Sequence, residues 1–125
     1  MQLSIISMTV AASALVLGCG GSYPAPTQDL SAAQGAERSA VELGAASQPQ
    51  AKLHLALAQE QMAQAAAAMK DGDNERAEGL LLRSRSDAEL AIALTRDQSA
   101  KTDAQKATVQ SNTQTTTNLN QGAVR

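Results

Sequence analysis

Cysteine and histidine, two residue types common in nucleophilic and zinc sites, are nearly absent from this 125-residue chain. There is one cysteine, Cys19, and one histidine, His54. A single thiol cannot form an internal disulfide, and no cysteine remains to join His54 in a zinc site. No G-x-S-x-G segment is present to supply a hydrolase serine. We therefore predict no catalytic residue, no metal site and no cofactor, and we expect a protein that is not an enzyme.

Cys19 follows an apolar run, LSIISMTVAASALVL, at positions 3–17, and residues 1–18 contain no charged side chain. A run of about 15 residues has the length of a secretory signal sequence, whereas a membrane-spanning helix needs about 20. The small residue Gly18 at its end also favours a cleaved signal peptide. The positively charged segment that usually precedes such a run is missing.

The four residues Val16, Leu17, Gly18 and Cys19 resemble the bacterial lipobox. The resemblance implies that the Cys19 sulfur receives a diacylglyceryl group, that residues 1–18 are removed, and that the new amino terminus is acylated. Two or three acyl chains would contribute on the order of 20–30 kcal/mol of membrane binding. Gly20 stands where an aspartate would signal retention in the inner membrane, so we expect the periplasmic face of the outer membrane. The alternative is a buried free thiol in an N-terminal helix.

Composition restricts the partners. The net charge is −2 and the only aromatic residue is Tyr23, so we expect no nucleic-acid binding by charge or by base stacking. Alanine fills 26 positions. Alanine favours helix but buries little area, which predicts helices that pack closely around a modest core.

The chain divides into four predicted segments. A lipoprotein signal peptide spans residues 1–18, and a lipidated cysteine with a flexible tether spans residues 19–26. An alanine-rich helical domain spans residues 27–96. Residues 97–125 are rich in Gln, Thr, Asn and Ser. We expect helix to about Val109 and disorder after it.

The pattern of small and apolar residues predicts three helices. The first runs from about Gln28 to Ala46 with Thr27 as its cap. The second begins near Pro49 in a capping box formed by Ser47 and Gln50, and it ends at Lys70 before Gly72. The third begins at Asp73 or Asn74.

The second and third helices each carry a heptad seam. The seam residues are Ala51, Leu55, Ala58, Met62, Ala65 and Met69 on one helix, and Ala77, Leu81, Ser84, Ala88, Ala91 and Thr95 on the other. A very short loop between these helices predicts an antiparallel hairpin, with the first helix covering a remaining face. The predicted fold is therefore an all-α helical hairpin or three-helix bundle.

Other polar residues receive structural interpretations. Asp71–Glu75 begins like a calcium loop, but Arg76 and Leu82 stand where an EF-hand needs Gly and Glu, so we expect a turn. We expect His54 to be an exposed surface residue. Met62 and Met69 are expected to fill the core. Two ion pairs are expected on the solvated face of the third helix, Arg83–Asp87 and Arg85–Glu89.

The hairpin also resembles a known family. Pro49, AKLHLALAQEQMAQA, DGD and AEGLLLRSRSDAELAIAL are similar to alanine-rich bacterial lipoproteins that carry a helical domain of unknown function. Some relatives are fused to OmpA-like peptidoglycan-binding domains. The resemblance covers about residues 26–96. It implies a helical envelope lipoprotein and no active site.

The leading functional hypothesis is an outer-membrane-anchored periplasmic lipoprotein that acts as a structural or interaction module. Its expected partners are the membrane, through the lipid, and an envelope protein or a second copy of the chain. One alternative is an adaptor similar to a tetratricopeptide helix pair, although no 34-residue repeat is present. Another is a peptidoglycan-associated spacer. Residues 122–125 end in arginine, so attachment to peptidoglycan through a C-terminal lysine, as in Braun-type lipoproteins, is not expected.

Overall fold

The computed structural model describes residues 23–122, and this part of the chain is all-α. The helices are α1 (Thr27–Glu42), α2 (Pro49–Lys70) and α3 (Asn74–Gly122), with a single 3₁₀ turn at Ala45–Ser47. The predicted signal peptide, the lipobox residues and Cys19 lie outside the described residues. The all-α prediction is confirmed.

Helices α2 and α3 form the predicted antiparallel hairpin. All six seam residues of α3 are buried, as are four of the six on α2, while Met62 and Met69 are half-buried. Near the middle of the hairpin the Ser84 hydroxyl donates a 2.8 Å hydrogen bond to the carbonyl oxygen of Ala58. Because Ser84 and Ala58 are both fully buried, small side chains let the two helices approach closely.

Helix α1 covers one face of this hairpin and runs parallel to α3. At one end, Ala33 of α1 packs in a cluster with Ala65, Leu80 and Leu81. At the other end, Ala40 packs with Ala45, Ala51, Leu55 and Ala91. Met62 and Met69 pack against the first of these clusters, which confirms them as core filler. The bundle therefore has two small hydrophobic clusters rich in alanine.

The predicted first helix was too long. α1 ends at Glu42, because Gly44 adopts φ +84° and turns the chain out of the helix. Thr27 is the first residue of α1 rather than its cap; Pro26 occupies the cap position without a side-chain hydrogen bond.

The connection before α2 also differs from the prediction. Pro49 begins α2 as expected, but Ser47 and Gln50 do not form a capping box. The Ser47 hydroxyl instead donates to the Gly44 carbonyl oxygen at 2.7 Å, within the 3₁₀ turn. Gln48 is extended and holds the cap position of α2 without a side-chain hydrogen bond.

The α2–α3 turn follows the sequence prediction closely. Gly72 adopts φ +82°, a left-handed conformation that glycine reaches without steric cost. α3 then starts at Asn74, and the Asp73 carboxylate accepts a hydrogen bond from the backbone N–H of Arg76 at 3.3 Å. The segment Asp71–Glu75 is thus a turn followed by the first residues of α3.

The prediction of disorder after Val109 was wrong for the described residues. α3 continues unbroken for 49 residues to Gly122, a length of about 73 Å at 1.5 Å per residue. Thr95 is its last buried residue. We define residues 97–122 as the α3 extension, which projects about 39 Å beyond the bundle.

Candidate interaction surfaces

A polar network joins α2 and α3 beside the seam. His54 Nδ1 and Asp87 Oδ1 are 2.9 Å apart, and Gln61 Nε2 donates to Asp87 Oδ2 at 2.8 Å. One carboxylate therefore binds two side chains that lie two helical turns apart on α2. The His54 and Asp87 side chains retain only 27% and 21% of their exposure. The network fixes the register of the hairpin on this side.

Two sequence predictions are corrected by this network. His54 is half-buried and paired rather than an exposed surface residue, because the antiparallel hairpin brings Asp87 opposite it. Asp87 is consequently directed toward α2, and the predicted Arg83–Asp87 pair is not among the ion pairs of the described residues. The Arg85–Glu89 pair is present at 2.7 Å on the solvated face.

Leucines flank the polar network on both helices. Leu57 lies three residues after His54 on α2, and Leu90 lies three residues after Asp87 on α3, so each shares a face with a network residue. Leu53 is 58% exposed and Leu90 42% exposed. We call this surface the leucine face; it comprises Leu53, Leu57, Leu90 and Leu94.

Helix α1 leaves this face open. α1 contacts α2 through Gln59, whose side-chain amide donates to Glu37 at 2.9 Å. Gln59 and Gln61 are two residues apart and point about 200° apart around α2. α1 therefore lies at one edge of the hairpin and the network at the other. Leu53 and Leu90 are therefore the open positions of the leucine face among residues 23–122, whereas Leu94 is partly buried against the cluster that contains Ala40 and Ala45.

The end of the predicted tether is attached to the bundle. Asn74 donates a 2.8 Å hydrogen bond to the Tyr23 carbonyl oxygen, and the Tyr23 hydroxyl donates to a carboxylate oxygen of Glu78. The hydrogen bond to Glu78, with smaller effects of burial and of nearby carboxylates, raises the pKa of Tyr23 above 10.0. These contacts fix the chain's entry point beside the first turn of α3.

The position of Tyr23 shows how α3 is oriented relative to the point where the chain enters the bundle. Tyr23 lies at the N-terminal end of α3, and α3 runs away from it for its whole length. Any attachment before Tyr23 therefore holds one end of a rod, and Gly122 lies at the far end.

The α3 extension is polar and almost entirely exposed. Its four charged residues form two exposed pairs, with Lys101 Nζ 2.6 Å from Asp97 Oδ2 and Lys106 Nζ 3.6 Å from Asp103 Oδ1. No charged side chain occurs between Ala107 and Gly122. Threonine hydroxyls along it donate to carbonyl oxygens one turn earlier; they belong to Thr102, Thr108, Thr113, Thr115, Thr116 and Thr117.

Comparison of the chain with protein-family models, with curated proteins and with solved structures gives no significant match. The family resemblance of the hairpin therefore stays a prediction. Residues 23–122 include no group of three or more His, Cys, Asp or Glu side chains placed to hold a metal ion. Nor does any helix in that range have the length and apolar character needed to cross a bilayer.

Proposed function

We propose that this protein is a lipoprotein anchored through Cys19 to the periplasmic face of the outer membrane, where it serves as a non-enzymatic helical interaction module. The lipobox at residues 16–19 supports the anchor. The observation that carries the interaction role is the leucine face, because Leu53 and Leu90 stay exposed beside the polar network. Within that network the buried Gln61 Oε1 has no hydrogen-bond partner among the described residues.

The bundle suits this role physically. Its alanine-rich clusters bury small side chains, while several of its larger leucines remain accessible on the hairpin. A contiguous exposed apolar patch rimmed by polar residues is typical of a protein-binding surface. The attached Tyr23 places the α2–α3 turn next to the tether, so Leu90 and Leu94 would lie about 24–30 Å further along α3 from that entry point.

The anchor is tested by replacing Cys19 with serine and following processing and membrane fractionation. We expect the variant to keep residues 1–18 and to lose its fatty-acid label, because serine has no thiol to form the thioether. Normal processing and unchanged labelling in the Cys19→Ser variant would contradict the anchor.

The interaction role is tested by photo-crosslinking in intact cells. A photoreactive residue at Leu53 or Leu90 is expected to capture a discrete envelope protein, identified by mass spectrometry. Ala63, exposed on α2 away from the network, provides the matched control position. The interaction role fails if the leucine-face positions give no adduct or give the same adducts as Ala63.

The direction of α3 favours a second function, that of a peptidoglycan-associated spacer. A rod that points away from its anchor by about 73 Å would hold its far end at a distance from the membrane. In cosedimentation with purified peptidoglycan, the chain from residue 20 onward is expected to pellet, and removal of residues 97–125 is expected to abolish pelleting. Absence of pelleting by the longer chain would exclude the spacer role.

A further inference from the structure

The buried seam of α3 continues into the α3 extension without a break in register. Steps of three and four residues from Thr95 lead to Gln98, Thr102, Gln105, Val109, Asn112, Thr116 and Leu119. In heptad notation Thr102, Val109 and Thr116 occupy a positions, and Gln98, Gln105, Asn112 and Leu119 occupy d positions. The same face that packs on α2 inside the bundle therefore points into solvent beyond Thr95.

Both large apolar residues of the extension lie on this continued seam. Val109 is 63% exposed and Leu119 is 69% exposed. β-branched residues at a positions and leucine at a d position are preferred in parallel two-stranded coiled coils. The register thus matches that of a helix built to pair along its length.

The extension has little to stabilise it as a lone helix. Thr, Asn and Ser have lower helix propensity than Ala or Leu, and isolated polar helices are marginal in water. No i,i+4 ion pair is available after Lys106, because residues 107–122 carry no charge. Pairing with another helix would supply the missing stabilisation.

We propose that the α3 extension pairs with the α3 extension of a second copy of this chain as a parallel, in-register coiled coil. A second copy repeats the ten-residue separation of Val109 and Leu119 and so aligns both apolar layers. It also places Asn112 opposite Asn112, and Gln105 opposite Gln105, so that each amide finds a donor and an acceptor. An apolar partner helix would instead leave these amides buried without hydrogen bonds.

The charged residues favour a dimer that is weak and salt-dependent. In parallel pairing, Lys101 at a g position approaches Lys106 at an e position of the other copy, and these like charges repel. Each lysine is compensated within its own helix, by Asp97 and by Asp103. This inference does not depend on lipidation, since it concerns only the far end of α3.

Sedimentation equilibrium of the chain from residue 20 onward tests the pairing. We expect a monomer–dimer equilibrium in the high micromolar range, with stronger association at higher salt. Val109→Gln with Leu119→Gln should weaken the association at least about tenfold, because both apolar layers are lost. The control Ala104→Gln with Ala107→Gln alters positions off the seam and should leave it unchanged. A monomer at every concentration, or equal effects of both double variants, would overturn the proposal.

Two further variants test the parallel register. Asn112→Cys should form a disulfide-linked dimer on mild oxidation, because identical d residues face each other, while Gln114→Cys on the outer face should not. Lys106→Glu should tighten the dimer by converting the lysine–lysine contact into an attractive pair. If Asn112→Cys fails to crosslink, or Lys106→Glu leaves the affinity unchanged, the parallel in-register arrangement is wrong.

Discussion

At the residue scale, small side chains decide how closely the helices pack. The seam is visible in the sequence because Ser84, Ala88 and Ala91 repeat at heptad spacing, and all three are fully buried. The His54–Asp87–Gln61 network could not be predicted. Its members belong to different helices, and pairing them requires the vertical register of the hairpin, which the loop length alone does not supply.

Ser84 gives a direct test of the close helix approach. Ser84→Leu should lower the free energy of unfolding by about 1–3 kcal/mol, because a larger side chain does not fit against Ala58 and the hydrogen bond is lost. Ser86→Leu is the matched control, since Ser86 is exposed two residues away; its effect should stay within about 0.5 kcal/mol. Urea unfolding followed by circular dichroism measures both. Equal effects would contradict the proposed close packing.

Tyr23 offers a second test at this scale, because it is the only aromatic residue and its absorbance is unambiguous. Glu78→Gln should bring the pKa of Tyr23 down toward 10.0, since the carboxylate that accepts its hydrogen bond is gone. Alkaline absorbance titration measures the shift.

The same raised pKa has a consequence for stability. The neutral hydroxyl is favoured in the folded state, so its contribution is complete below pH 10 and is lost as the pH rises through the raised pKa. The dependence should disappear in Glu78→Gln. An unchanged Tyr23 titration in this variant would show that the tether end is not held by Glu78.

At the element scale, helix cores were predictable and most helix ends were less so. The start of α3 and the left-handed Gly72 follow from familiar turn chemistry. The end of α1 does not, because Gly44 rather than Ala46 ends the helix, and Ser47 bonds backward into the 3₁₀ turn instead of capping α2. Helix propensity also gave a wrong prediction for residues 110–122. Their threonine content suggested disorder, but α3 continues through them.

Alanine substitutions at two glycines distinguish the effect of backbone strain from the effect of steric packing. Gly72→Ala should destabilise the bundle by about 1 kcal/mol, because alanine is strained at φ +82° although no atom lies near its new Cβ. Gly79→Ala, inside α3 and equally open, should stabilise it by about 0.5–1 kcal/mol. Thermal unfolding of both variants distinguishes the signs. Two changes of the same sign would contradict the assigned turn.

At the scale of the whole molecule, the protein is a short helical bundle from which the α3 extension projects as a long helical arm. The fold class and the hairpin follow from the sequence pattern. The arm and the attachment of Tyr23 do not, because both depend on where single helices stop and on contacts between residues about fifty positions apart. Together they give the molecule a direction, with the entry point at one end and Gly122 at the other.

We expect the bundle to be equally stable without the arm. Ending the chain after Arg96 removes no buried residue among those described, so the midpoint of thermal unfolding should stay unchanged while total helix content falls. Circular dichroism at low protein concentration, where the proposed dimers would be dissociated, gives both quantities. A large drop in the midpoint would mean that the arm packs on the bundle.

Mass spectrometry of the amino terminus, on protein extracted from cell membranes with detergent, tests the lipid anchor most directly. The expected mature chain begins at Cys19 and carries a diacylglyceryl thioether together with an acylated amino group. A chain that retains residues 1–18, or one whose Cys19 thiol is free, would contradict the anchor and with it the orientation proposed for the arm.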